Sequence, residues 1–240
     1  MIELFRDEAV AYLRLGLLAP GGRSAVRSGQ GRRAAVGVLF VPGVGANGSQ
    51  FTSMKQALEG EVGWFDSFEY PWLMDPRRNA ERLAQALERA ADVERLVVVG
   101  HSLGGLLLRL VLQTEPVPAN VLGYAAICSP LHGTWRSRLT PHPGLRLLAP
   151  DSALMEELRR TAGRLDRWKD RILTVGARRD QFIDPYTSAF LDGTEQLLLE
   201  DVAHAGSLFD PRVHARVRAL VERVKESGGG ADPAGDGLTP

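Results

Sequence analysis

The 240-residue chain has a single cysteine, Cys128, so neither an intramolecular disulfide nor a cysteine-rich zinc site can form. It has no net charge either. Its 29 Lys and Arg balance 29 Asp and Glu, which removes bulk electrostatic attraction to nucleic acid. No apolar run approaches the ~18–20 residues that a membrane-spanning helix needs. Lysine is scarce, three against 26 arginines, a skew of GC-rich coding with no mechanistic content. A secretory leader is not expected. Glu3, Asp7 and Glu8 occupy the segment that is positive in a leader, and no small-residue cleavage site follows an apolar run. With the lone cysteine, this makes a cytoplasmic location the expectation. What remains is a globular composition, 44% hydrophobic and 24% charged, long enough for one α/β domain with its own core.

Residues 1–20 have the spacing of a helix, with Ile2, Phe5, Ala9, Leu13 and Leu17 on one face and Pro20-Gly21-Gly22 as its stop. Residues 21–35 carry Arg23, Arg27, Arg32 and Arg33 and no acid. Residues 1–35 therefore read in two ways. The helix docks on the body beside a solvated linker, or it makes peripheral contact with an anionic membrane surface. From residue 36 strands and helices alternate. Strands are expected at 36–41, 64–70, 96–100, 121–128, 172–176 and 196–199. Helices are expected at 49–59, 79–91, 103–113, 152–165 and 210–225, the last opened by the Asp210-Pro211 cap. Strands separated by helices predict a doubly wound, mostly parallel sheet of about six strands. The Gly/Pro-rich residues 227–240 are expected to form a disordered tail.

The segment Gly100-His101-Ser102-Leu103-Gly104 fits G-x-S-x-G at a strand-to-helix turn. Such a turn holds a serine in strained geometry beyond the carboxyl ends of the strands, above a helix N-terminus that favours developing negative charge. Glycines two residues to either side avoid collisions. A serine nucleophile needs a base and an orienting acid. His204, in the loop between the last strand and the last helix, faces the same sheet edge and is the expected base. The acid should follow the strand at 172–176. Asp180 is preferred, and Asp184, before Pro185, is the alternative. The oxyanion donors are expected to be the N–H groups of Leu103 and Val44, with Gly43 letting the backbone approach the substrate. A competing pattern lies in the same loop. Gly43-Val-Gly-Ala-Asn-Gly48 matches G-x-G-x-x-G after a strand, and Glu69 stands near the place of a ribose-binding acid. A dinucleotide-binding protein would leave Ser102, Asp180 and His204 without a purpose.

At these residues the chain resembles the α/β-hydrolase superfamily, in particular its bacterial lipase-like esterases. Gly-His-Ser-Leu-Gly-Gly at 100–105 has the form common in lipases. Ile127-Cys-Ser-Pro-Leu-His-Gly-Thr134 resembles the family's T-P-H-x-G-T segment, and Ala149–Leu158 is similar to the stretch that follows it. One departure is Pro42-Gly43, where the family usually has His-Gly. The resemblance covers about residues 36–225. It implies a serine hydrolase of carboxylic esters with lipid-like acyl groups, working through an acyl-enzyme without metal or cofactor. Thioester hydrolysis and acyl transfer are compatible with the same triad. Residues 131–168, with Leu139, Leu145, Leu147, Leu148, Leu154 and Met155, are expected to form a small apolar lid or to cap the core. Trp135 is expected to line the substrate entrance, or else to pack. His132 and His101 are expected to be structural, and Cys128 an inert core thiol.

Overall fold

Short runs of buried Val, Leu and Ala pair side by side as β1 (Gly37–Val41), β2 (Trp64–Ser67), β3 (Leu96–His101), β4 (Val121–Ile127), β5 (Ile172–Ala177) and β6 (Glu195–Leu199). The computed structural model describes residues 2–29 and 34–227, with side chains from Glu8 onward. The expected tail beyond Ser227, Arg32 and Arg33 of the linker, and the side chains of Ile2 and Phe5 lie outside the described residues. All five pairings among the six strands are parallel, in the order β2-β1-β3-β4-β5-β6. Each expected strand is present. The four central strands are buried almost throughout, as sheets covered on both faces require. The β2 edge is capped by an antiparallel bridge from Ser28 to Phe65, which leaves fewer unpaired edge groups.

Helices cover both faces. One face holds α3 (Pro76–Glu88), α4 (Leu103–Thr114) and α6 (Ala153–Arg160), which pack Leu83, Leu87, Leu107, Val111, Leu154 and Leu158 into one apolar cluster. The other face holds α2 (Thr52–Leu58) and α7 (Pro211–Glu226), which bury Met54, Leu58, Val213, Val217 and Leu220. A four-residue α5 (Pro143–Arg146) lies between β4 and α6, and α1 (Ile2–Leu18) docks on the body. The chain runs outward from β1 to β2 and then returns to β3 on the other side of β1. This reversal opens a crevice between the carboxyl ends of β1 and β3, where doubly wound sheets bind ligands. Val41 and Gly100 are in register there, so the loops after β1 and β3 start side by side.

Four helices depart from their expected bounds. α2 begins at Thr52, after a 3-10 turn over Gly48–Phe51. α3 begins at Pro76, because the Asp75 side chain accepts the Arg77 N–H at 2.8 Å. α6 ends at Arg160. The chain continues to Arg171 as 3-10 turns that still bury Leu165 and Trp168. α1 ends at Leu18, and its docked face differs from the expected one. Glu8 and Ala11 are buried and Leu15 and Leu18 half-buried, whereas Leu13 and Leu17 point outward, 64% and 73% exposed. The 131–168 segment also divides. Leu154 and Met155 belong to the core, Leu145 and Leu148 border the cleft described below, and Leu139 is in solvent.

Candidate active site

The turn after β3 is built by exclusion. A Cβ on Gly100 would lie 2.4 Å from the Gly105 nitrogen, and one on Gly104 would lie 2.1 Å from the Val41 carbonyl. Neither position can carry a side chain without moving backbone. Between them Ser102 sits at φ 54°, ψ −125°, a region that L-residues rarely occupy and that costs of order 1–3 kcal/mol. The strain places Ser102 at the head of α4, in the β1/β3 crevice. A Cβ on Gly43 would stand 3.0 Å from the Ser102 Cβ, so the loop after β1 closes directly against the serine.

His204 follows β6 and is 5% exposed. Its Nδ1 lies 2.7 Å from Asp180 Oδ2. The Asp180 side chain is 1% exposed, and its Oδ1 accepts the N–H groups of Phe182 at 2.8 Å and Ile183 at 3.0 Å. Both oxygens of this carboxylate are thus committed, which fixes the ring it faces. Asp184 is different: half-exposed, with Arg136 at 3.6 Å and no contact to His204. The geometry therefore pairs the preferred acid with the expected base. Ser102 and His204 border the same cleft, and among the described residues Ser102 Oγ has no hydrogen-bond partner. Nucleophile–base bonds often close only when substrate binds. The Val44 and Leu103 N–H groups also have no partner among the described residues, and both residues border the cleft.

Neighbouring groups hold this frame. The Tyr70 hydroxyl donates to the Pro42 carbonyl at 2.7 Å, which steadies the loop where the family pattern has histidine. Glu69 accepts the Gly48 N–H at 2.8 Å, so the carboxylate at the place of a ribose-binding acid is spent on the loop itself. His101 is buried against the His204 ring, centroids 4.7 Å apart. Burial, reinforced by His204, pushes its pKa well down, so it stays neutral. Cys128 lies in the same cluster, its sulfur within 4.8 Å of Asp180 and His204 ligand atoms. Burial, with Asp180 nearby, pushes the thiol up and keeps it protonated. His132 is held by the Phe190 carbonyl at 3.0 Å and does not border the cleft. Trp135 is a correction: it does not line the cleft. The residue is 44% exposed, with its ring against the Arg138 guanidinium and its backbone N–H donating to the Asp184 carbonyl at 2.9 Å. Its neighbours Thr134, Arg136 and Ser137 border the cleft instead.

The cleft holds about 560 Å³, the size of a small-ligand site. Its apolar surface comes from Leu15, Val44, Leu145, Leu148, Phe182 and Ile183. Several of these were not legible in the sequence. Phe182 packs edge-on against His204 at 5.0 Å, and Tyr12, Leu15 and Gly16 of α1 contribute a side. The only local signal for Phe182 is its place two residues after the acid.

Residues 38–236 match the profile of the alpha/beta hydrolase family. The chain belongs to this family. A stretch of 113 residues, 44% of the chain, is 32% identical to "Probable esterase PIR7A" of Oryza sativa subsp. indica and spans 38% of that protein. Among solved structures, the mature form of Bacillus licheniformis lipase BlEst2 superposes with a TM-score of 0.67 at 14% identity, over 82% of this chain and 95% of that one. The monoacylglycerol lipase of Paleococcus ferrophilus gives 0.56 at 13% identity, over 79% and 93%. At these identities the structural likenesses establish a shared fold. This α/β hydrolase also has no described helix long and apolar enough to cross a membrane.

Proposed function

We propose that this α/β hydrolase is a serine carboxylic-ester hydrolase, an esterase or lipase that works through an acyl-enzyme. The observation that carries the reading is the Asp180–His204 pair, closed at 2.7 Å in the cleft that Ser102 enters from its strained turn. His204 Nε2 takes the proton as Ser102 Oγ attacks the ester carbonyl. Asp180 holds the ring in the tautomer with Nδ1–H and stabilises the imidazolium. The Val44 and Leu103 N–H groups receive the oxyanion, and loss of one such donor typically costs ~10²–10³ in rate. His204 then protonates the leaving alcohol, and water repeats the cycle on the acyl-enzyme to release the acid. No step calls for a metal or cofactor. The apolar cleft supports a lipid-like acyl chain. The same residues would serve a thioesterase or an acyltransferase, where the leaving group or the acceptor differs and the acyl-enzyme does not.

The test is fluorophosphonate labelling read by intact mass and peptide mapping. One adduct is expected, on Ser102. It is absent in Ser102→Ala and slowed by ~10³ or more in His204→Ala. Asp180→Asn is expected to slow labelling and ester turnover by ~10³–10⁴, and Asp184→Asn by less than about two-fold. A folded wild-type protein that takes no adduct refutes the mechanism. The reverse ranking of the two aspartates moves the acid to Asp184.

A further inference from the structure

The catalytic steps above leave the N-terminal helix unused, yet its contacts converge on the site. Glu8 is 9% exposed. Its Oε1 accepts the Ala205 N–H at 2.8 Å and the Gln181 Nε2 at 2.9 Å, and its Oε2 accepts the Gly206 N–H at 3.1 Å. Ala205 and Gly206 directly follow His204, and Gln181 directly follows Asp180. One carboxylate from α1 thus ties the base loop to the acid loop. Further along, the Arg14 guanidinium lies 5.6 Å from the centre of the Phe209 ring. Just beyond the end of α1, the Ala19 carbonyl accepts Asn47 Nδ2 at 3.0 Å, reaching the loop that carries Val44. Between these anchors Tyr12, Leu15, Gly16 and Ala19 form one side of the cleft. A Cβ added at Gly16 would meet nothing within 4 Å, so this wall has free space against it.

Resting on the esterase reading, we propose that α1 is a wall of the acyl site, fixed to both catalytic loops by Glu8, and that the bare surface at Gly16 sets how long an acyl chain the cleft accepts. Glu8 is a positioning residue: it touches no reacting atom and acts through the backbone next to His204 and through Gln181. Each methylene buried on binding is worth about four-fold in affinity. A leucine at Gly16 that displaces two or three methylenes of a long chain therefore changes selectivity by roughly fifteen- to sixty-fold.

The experiment is kcat and KM of the full-length protein on a p-nitrophenyl ester series from acetate to laurate. Gly16→Leu is expected to lower the long-to-short ratio of kcat/KM by about ten-fold or more, mainly through KM. Glu8→Ala is expected to lower kcat across the series by about ten-fold and to flatten the chain-length dependence, with Glu8→Gln, which keeps one acceptor oxygen, in between. Circular dichroism and melting identify which variants are folded. If Glu8→Ala does not fold, Gly16→Leu decides alone. An unchanged chain-length profile in folded Gly16→Leu, or wild-type kcat and profile in folded Glu8→Ala, overturns the proposal while wild-type turnover leaves the esterase reading intact. A wild-type protein that neither hydrolyses the series nor takes the fluorophosphonate overturns that reading and this proposal with it.

Discussion

Ser102 holds a backbone conformation that only glycine adopts without strain, φ 54° and ψ −125°. Its neighbours enforce this: Gly100 and Gly104 are packed against backbone, and the Ser102 N–H is tied to the Ile127 carbonyl at 2.9 Å. The position therefore trades stability for presentation of Oγ. Ser102→Gly is expected to raise stability by about 1 kcal/mol, which for a chain of this size is roughly 2–4 °C in Tm, while ester turnover falls to background. Thermal melting of wild type, Ser102→Gly and Ser102→Ala checks this. Ser102→Ala keeps the Cβ and so is expected to stay near wild type. Equal melting temperatures for all three would mean that the surrounding turn relaxes without cost. The strain also explains why this residue was legible in the sequence. The glycine pattern is local in the chain, even though only Gly100 is required by a near neighbour, Gly105, while Gly104 is required by the Val41 carbonyl at the end of β1. Trp135 has no such local code. Its surroundings include the Asp184 carbonyl, 49 residues along, which accepts its N–H and which the sequence around it cannot announce.

At the scale of elements, two helices open with the same Asp-Pro pair. Asp75-Pro76 and Asp210-Pro211 each place a carboxylate on the N–H two residues on, at 2.8 Å in both cases. The sequence reading applied this rule to the last helix and not to residues 75–76, so the start of α3 was placed three residues late. The signal was present, and the apolar periodicity of Ala80, Leu83, Ala84 and Leu87 masked it. The docking of α1 was illegible for another reason. Its apolar i, i+4 row of Ala9, Leu13 and Leu17 faces solvent, and the docked row is Glu8, Ala11, Leu15 and Leu18. A buried glutamate is favourable there only because the body supplies three donors, and those lie more than 170 residues away. The Asp210 cap makes a pH prediction. Burial raises its pKa, but the hydrogen bonds and charge of Arg212 outweigh this and hold it below the usual carboxylate range. A depressed folded-state pKa contributes stability that is present above the unfolded value of about 3.9 and lost as pH falls through the folded value. Asp210→Asn keeps a capping oxygen and removes the charge. It is expected to be less stable than wild type by about 0.5–1 kcal/mol at pH 7, with the two converging as pH falls below about 3. Urea melts across that range check it. A gap that persists undiminished at pH 2.5 would assign the effect to packing.

Over the whole molecule, segments from α1 through to the loop after β6 meet at one crevice. The reversal of strand order between β1 and β3 creates the opening, and the loops after β1, β3, β5 and β6 bring Val44, Ser102, Phe182 and His204 to it. The outer face of α1, beside that opening, carries exposed Val10, Leu13 and Leu17, and Val44 and Phe182 are exposed among the cleft residues. We propose that these apolar side chains give the protein its peripheral contact with lipid, and the charges around them specify which kind. Arg23 of the adjoining linker is paired with Asp66 at 2.6 Å, and Arg27 lies 4.0 Å from the same carboxylate. These two arginines are therefore partly neutralised and offer little pull toward anionic headgroups. Contact through leucines depends on buried apolar area, with up to ~1.5–3 kcal/mol for each side chain fully taken from water. Co-sedimentation with vesicles is expected to be similar for zwitterionic and anionic lipid and to weaken little with salt. Leu13→Glu with Leu17→Glu is expected to reduce partitioning by at least about ten-fold. Neither leucine borders the cleft, so hydrolysis of a soluble short-chain ester should continue in the double variant. Steep dependence on anionic lipid would instead return the contact to the basic linker, because only charge attraction is screened over a Debye length of about 8 Å at physiological salt.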